Sequence, residues 1–473
     1  MSRLALNTRA LAAGPLLLSA ALLAGCMNLA PDYQRPALPV PAQLPAGAAA
    51  SDAAWPGVNE LLRDERLRQL VTQALQNNRD LRVALLNVDR ARAALRLTDA
   101  DRWPTVQAAF IGSRAPSTDT GEQTTTLQAG LQVASYEVDL FGRVRSLSDA
   151  ASANVLATEA AARAARLALV TQVAATWFTL AADQEQLALA KQTLASREQT
   201  LKLTELRVQV GAASDIELHG TRGLLAQSRA SVAQFERQSA QDANALALLV
   251  GEPQGQGAAA QGQRFHPAGS LDPEALAVVP AGASSELLLR RPDVIQAEQA
   301  LIGANANIGA ARAAFFPRIL LSGSAGVVSD TLSNLVNSGT FAWTLGANAA
   351  MAIFDAGRNQ ANLESAKVGR DIAVAQYEKA IQTAFRETAD ALVSQATWRD
   401  QAVAQQQLQA GERERLRLTR LRYESGAANL IELLDSERSL AAADQALVLA
   451  RLGELLNRLA LYKALGGEER ALP

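Results

Sequence analysis

The chain has 473 residues, with 45 Lys and Arg against 47 Asp and Glu and a formal charge of −2, which gives no electrostatic case for nucleic acid. Two histidines, His219 and His266, and one cysteine, Cys26, are the whole inventory of those types, and it excludes a His/Cys metal site or a Cys–His nucleophile. Alanine is abundant and aromatic residues make up 4%, a composition of long, close-packed helices.

Residues 1–25 read as an export signal: Arg3 and Arg9 precede a short apolar run, Leu11 to Leu23, as such signals require. Leu23-Ala24-Gly25-Cys26 resembles the bacterial lipoprotein signal, which implies cleavage before Cys26 and acylation of its thiol and amine; the plain alternative is an ordinary signal that ends near a cysteine. Several acyl chains anchor a protein stably, and acylation removes the hazard of a lone exported thiol. Met27 follows, where an Asp would have suggested retention in the inner membrane, so the outer membrane is favoured.

Residues 26–58, with Pro31, Pro36, Pro39, Pro41, Pro45 and Pro56, are expected to form an extended strap. Helical patterning then runs from about Glu60 to Arg102 and stops at Trp103-Pro104, because proline disfavours helix at the residue before it. Leu127, Ala129, Leu131 and Val133 alternate with Gln128, Gly130, Gln132 and Ala134, the period of a strand. With Thr105–Ser113 and a loop at Arg114–Gln123, they make a β-hairpin. Near Ser135–Tyr136 the alternation slips, as a bulge would cause. Val144 to Gln209 contains no proline; as one helix it would measure about 100 Å. A second helix, near Asp215–Leu249, returns.

The plan then repeats. Leu201–Arg222 (LKLTELRVQVGAASDIELHGTR) is echoed by Leu416–Arg438 (LRLTRLRYESGAANLIELLDSER): Thr204, Gly211 and Glu217 recur as Thr419, Gly426 and Glu432, each 215 residues later. Gly142-Arg143 recurs as Gly357-Arg358 at the same distance, and Pro104 as Pro317 at 213. Each copy is predicted to be the tip of a helical hairpin, with glycine in the left-handed position that ends a helix and Asp215 or Asn429 capping the next. The second β-hairpin pairs Pro317–Val328 with Phe341–Phe354, and Arg358–Glu424 is again one long helix. Its Val374, Tyr377, Ile381, Phe385 and Leu392 are spaced as a coiled-coil seam. The expected organisation is a signal (1–25), a strap (26–58), a first repeat (59–250), a linker (251–286) and a second repeat (287–473).

Four strands of membrane-spanning length cannot close a barrel, and lipid does not tolerate open edges. The barrel is therefore shared between chains; three chains give twelve strands, a count that leaves a pore. YEVDLFGRVRS (136–146), PAGASSELLLRRPDV (280–294), AARAAFFPRI (310–319), IFDAGRNQA (353–361) and LRYESGAANLIELLDSER (421–438) resemble the TolC-like outer-membrane factors. The lipoprotein signal and APDYQRP (30–36) resemble their OprM- and NodT-type efflux branch. The resemblance implies a mainly α chain with a membrane β portion: a trimer with a 12-stranded barrel continued by an α-helical coiled-coil barrel. It implies an outer-membrane, lipid-anchored exit duct of a tripartite efflux system, serving drugs or other small molecules. A periplasmic adaptor and an inner-membrane pump, usually of the resistance-nodulation-division type, would be its partners, with outer-membrane lipid around the barrel. A type I protein secretion outlet shares this fold. A lipid-anchored structural coiled-coil protein is the reading from another class, and the strand-patterned hairpins distinguish it.

Glu217, Tyr423, Glu432, Asp435 and Arg438 lie at or just past the tips. Taken alone, charges at a helix start simply cap it and complement its dipole. The resemblance implies more: a periplasmic aperture closed by Tyr423 and the acidic Glu217, Glu432 and Asp435, with Ile431 as its apolar constriction and Arg438 as partner of the aspartate. A hydrogen bond from Tyr423 to Glu217 is expected to help lock it. Where some members carry an arginine, Ala428 stands here, so that link is missing. Asp139 and Asp355, before helix starts, are read as caps rather than as an acid–base pair. With no phosphate loop, triad, metal cluster or cofactor motif, an enzyme is not expected.

Overall fold

A computed structural model describes residues 28–44, 57–116, 121–251, 265, 271–278, 284–335 and 340–467. The signal segment and Cys26 lie outside the described residues. The helices are α1 (Val58–Leu61), α2 (Glu65–Asn77), α3 (Arg79–Ala100), α4 (Arg143–Gln209), α5 (Asp215–Val250), α6 (Pro292–Ala313), α7 (Arg358–Glu424) and α8 (Leu430–Ala464). The strands are β1 (Gln107–Pro116), β2 (Gln123–Val138), β3 (Arg318–Ser329) and β4 (Phe341–Ala350). α4 and α7 each run 67 residues without a break.

The first helical segment is interrupted where periodicity alone shows no break. Asn78 adopts an extended backbone between α2 and α3, and its Oδ1 accepts from the Leu81 amide at 2.9 Å. Asparagine competes for the backbone and favours a cap over a helix interior, so the chain turns there.

The chain divides into two compact units, each drawing on both repeats: residues 1–37, 87–159 and 296–378 in one, 38–86, 160–295 and 379–473 in the other. The first unit holds the sheet, a single antiparallel layer in the order β1-β2-β3-β4. The anticipated bulge falls between Val133 and Tyr136. Gly130 and Gly326 face one another across β2 and β3, and a Cβ on either would intrude into the backbone of the opposite strand. Only glycine permits that approach. Strap residues 28–37 lie along α6: Arg312 donates to the Leu29 carbonyl at 3.0 Å and Asn305 to that of Pro31 at 2.7 Å. Arg35 grips both oxygens of Glu298, and Tyr33 donates to the same carboxylate at 3.0 Å. Glu298 is only 8% exposed, so its desolvated charge requires those partners.

In the second unit, Trp177, Phe178 and Leu180 of α4 share a core with Leu67 and Leu70 of α2, Leu246 of α5 and Leu455, Leu459 and Tyr462 of α8. α4 contains a stretch apolar enough to cross a membrane, but much of it is buried within the protein. Leu62 pairs with Leu276, and Gln43 with Ser284, in isolated bridges. Arg458 donates to the carbonyls of Pro273 and Leu276, fastening that linker segment. Pro292 opens α6, and buried Arg291 before it reaches Asp293, Glu387 and the Ala464 carbonyl.

Asp183 of α4 and Asp242 of α5 form a carboxyl pair. Burial, then the hydrogen bond and charge of Asp242, push the Asp183 carboxyl up to about 7, and burial raises Asp242 as well. The folded chain therefore keeps a proton that the unfolded chain releases above about pH 4. This pair's contribution to stability is present at low pH and lost as pH rises from about 4 to about 7. The expected outcome for Asp183→Asn is a melting temperature a few degrees above that of the parent at pH 8, with the difference vanishing near pH 4; thermal melts across that range in detergent measure it.

Candidate functional site

The two hairpin tips, both in the second unit, are built alike. Gly211 and Gly426 carry φ values of 73° and 78°. The Ala212 and Ala427 amides donate back to the Arg207 and Arg422 carbonyls at 2.7 and 2.8 Å, so each helix closes with the hydrogen bonding of a glycine-terminated end. Arg207 and Arg422, 215 residues apart, then bend over the turn to donate to the Ala212 and Ala427 carbonyls. The same clasp is made twice.

The return helices are capped by Ser214 and Asn429. Asn429 was one of the expected caps. Asp215 was not needed: Ser214 accepts from the Glu217 amide, and Glu217 accepts from the Ser214 amide at 3.1 Å, a reciprocal capping box. That commitment bears on Tyr423. Its hydroxyl accepts from Arg207 Nη1 at 2.9 Å, and among the described residues no hydrogen bond joins it to Glu217. The expected Tyr423–Glu217 bond is replaced because the carboxylate is held at its own helix start and an arginine lies nearer the phenol.

Asp435 is held by two arginines. Arg438, one turn on, reaches Oδ1 at 2.6 Å, and Arg415 of α7 reaches Oδ2 at 2.8 Å. Glu432 lies 3.8 Å from Arg422. Ile431 is 71% exposed, an apolar side chain left largely open. The first repeat has no counterpart to this cluster, since Gly220 and Gly223 stand where Asp435 and Arg438 recur.

A residue that spacing did not single out is Glu437. Arg197 of α4 meets it at 2.7 Å, with both side chains no more than 10% exposed; Ser196 also donates to it, and Arg420 lies at 3.6 Å. The signal for it was in the duplication. Glu205 and Arg222 pair in the first hairpin, and the positions 215 further on are Arg420 and Glu437, the same pair with its charges exchanged. Asp139 and Asp355 cap helices as expected, accepting from the Arg145 amide and from the Gly357 and Asn359 amides. Among the described residues no group of three or more His, Cys, Asp or Glu side chains is placed to hold a metal ion.

The outer membrane efflux protein family model matches residues 70–252 and again 283–467, once for each repeat and together over more than half of the chain. The solvent efflux pump outer membrane protein SrpC of Pseudomonas putida is 41% identical over 94% of this chain and 96% of its own. The cation efflux system protein CusC of Escherichia coli K12 is 41% identical over 94% and 97%. Among solved structures, CusC aligns with a TM-score of 0.82 at 40% identity, over 93% of this chain and all of that one. The open state of the Neisseria gonorrhoeae MtrE outer membrane channel aligns at 0.83 and 36%, over 93% and 98%.

Breaking the Arg197–Glu437 pair strands a buried charge. Glu437→Ala is expected to destabilise the hairpin pair by about 3–5 kcal/mol, while the double change Arg197→Met, Glu437→Leu recovers most of that loss. Hydrogen exchange of α4 and α8 amides near the pair reads both. The twofold family match, the relatives along nearly the whole chain and the strand-plus-helix fold agree: this chain belongs to the outer membrane efflux protein family and is an outer-membrane efflux channel.

Proposed function

We propose that the channel works as a trimer, an exit duct with no chemistry of its own, closed at the hairpin tips and served by a periplasmic adaptor and an inner-membrane pump. The observation that carries this reading is the sheet, whose order leaves β1 and β4 as edges without a partner strand. Unpaired N–H and C=O groups cost several kcal/mol each in hydrocarbon, so β1 of one chain must pair with β4 of another. Three chains supply twelve strands and a wall around a pore. The relatives support a permissive duct: SrpC is named for solvent efflux and CusC for cation efflux, at the same 41% identity. A wall that resembles both equally leaves the choice of cargo to the pump.

Closure falls to Glu217, Tyr423, Ile431, Glu432, Asp435 and Arg438. Threefold symmetry turns each carboxylate into a ring of three charges, the usual device of cation-selective pores, and Arg415 and Arg438 limit their mutual repulsion. Ile431, one turn before Asp435, narrows the same level with an apolar side chain. Arg207 joins them, because its grip on the Tyr423 hydroxyl ties α4 to α7 at the tip. Cys26 is the acylated anchor, which holds the mature chain to the outer membrane beside the barrel.

Two measurements test this. In planar bilayers, Asp435→Ala should weaken cation preference and abolish block by multivalent cations while the trimer remains intact. Reversal potentials under a salt gradient decide it, and an unchanged preference places the ring elsewhere. Cys26→Ser behind a conventional signal should still yield heat-labile trimers in the outer membrane, at reduced yield. Recovery as a soluble monomer would remove both barrel and duct.

A further inference from the structure

We propose that Arg318, with Arg143 and Glu137, forms a cationic ring on the channel wall at the foot of the strands, a determinant of ion passage. The proposal rests on the reading of the sheet as one third of a barrel wall. Register and alternation give the sheet two unlike faces. One carries Phe110, Ala129, Val327 and Phe341 in line across the four strands, and beside them Ala108, Leu131, Ala325 and Trp343; this apolar face suits lipid. The other carries Gln107, Gln132, Ser324 and Thr344 in line. There Gln128 donates to the Ser324 hydroxyl at 3.1 Å, and Ser324 and Thr344 share a hydrogen bond of 2.8 Å. That polar face suits water.

Glu137 pairs with Leu320, and Arg318 with Ala350, which puts both on the polar face at the end of the strands. Arg143, in the first turn of α4, clasps the two Glu137 oxygens at 2.7 Å each, and Arg318 reaches the same carboxylate at 2.6 Å. Glu137 is 12% exposed and Arg318 54%, so one shielded carboxylate balances two guanidiniums and the surplus charge is on the more open one. The nearest acids lie to the other side. Asp139 and Asp355 keep their charge but turn it onto the amides that open α4 and α7, where the helix dipole offsets part of it. Asp139 and Asp101 act on the more enclosed Arg143, which leaves Arg318 as the open charge on the strand face. The duplication adds to the surplus. Arg358 recurs 215 residues after Arg143, but Ala352 stands where Glu137 would recur, and among the described residues no ion pair joins Arg358. Three such surpluses around one axis, backed by low-dielectric lipid, focus a positive potential into the lumen, and arginine rings favour anions in pores.

A thiol at position 348 can report that potential. Asn348 lies on the polar face opposite Leu320, two pairs along from Ala350 and Arg318. In membranes carrying Asn348→Cys, modification at this residue by a sulfonate-bearing and a trimethylammonium-bearing methanethiosulfonate is followed by peptide mass. At low salt the sulfonate reagent should react faster relative to its rate with a free thiol, and Arg318→Gln should lower the ratio of the two rates about fivefold, as a potential change near one kT implies. In the parent, about 1 M salt, with its Debye length near 3 Å, should erase the preference. A ratio equal to that of the free thiol at low salt overturns the ring, as does one unmoved by Arg318→Gln in an assembled trimer. If neither water-soluble reagent reaches residue 348 but a lipid-soluble maleimide does, the polar face is not the channel wall and the duct reading falls with the ring.

Discussion

Two unpaired strand edges are the constraint on which the rest depends. The four strands form one layer with β1 and β4 at its margins, and among the described residues no further strand pairs with either. In water such edges invite aggregation; in hydrocarbon they are not tolerated at all. The sequence around them is shaped to the same end. Both faces of the sheet are open within one chain, one of them apolar and one polar, which makes sense only where lipid lies on one side and water on the other. The bulge at Val133–Tyr136 and the Gly130–Gly326 approach add twist and closeness where β2 meets β3, the seam between the two repeats. Curving a sheet toward closure needs such devices.

The duplication explains how so long a chain builds so regular an object, and where it stops being regular. Backbone features recur at fixed distance: the tip glycines, the arginines folded over the turns, and the strand-to-helix corners with Asp139 and Asp355. Side-chain chemistry does not always recur. The pair Glu205–Arg222 returns with its charges exchanged, which lets Glu437 meet Arg197 as well as Arg420. Asp435 and its two arginines exist only in the second half, Glu137 only in the first. A duplicated scaffold thus supplies symmetric positions, and the divergent residues give each half contacts that the other lacks.

Much of this was legible in the residues. Alternation located all four strands to within a few positions, and even the slip that marks the bulge, because a one-residue shift moves every side chain to the other face. Glycine at the tips was read correctly because few other residues adopt a positive φ at low cost. The misses were choices among near-equal local partners. Ser214 won over Asp215 because the reciprocal bond with Glu217 satisfies two backbone amides at once. Tyr423 met Arg207 because packing brought a third side chain that no spacing rule names. Asn78 broke a helix whose apolar period continues across it. Each depends on tertiary neighbours, to which a local pattern is blind.

The wall chemistry fits the work of a conduit. A solute that bound tightly along the way would leave slowly, so conduction needs contacts that are weak and repeated. The polar face of the sheet answers with Gln, Ser, Thr and Gly, side chains that replace water's hydrogen bonds without holding an ion or an apolar ring firmly. Charge is set apart at the hairpin tips and at the foot of the strands, and in both places most of it is already matched within the chain: Asp435 by Arg415 and Arg438, Glu137 by Arg143 and Arg318. Matched charges order their neighbours without trapping a passing ion. A channel that must release whatever enters it is better served by weak, repeated contacts than by a binding site.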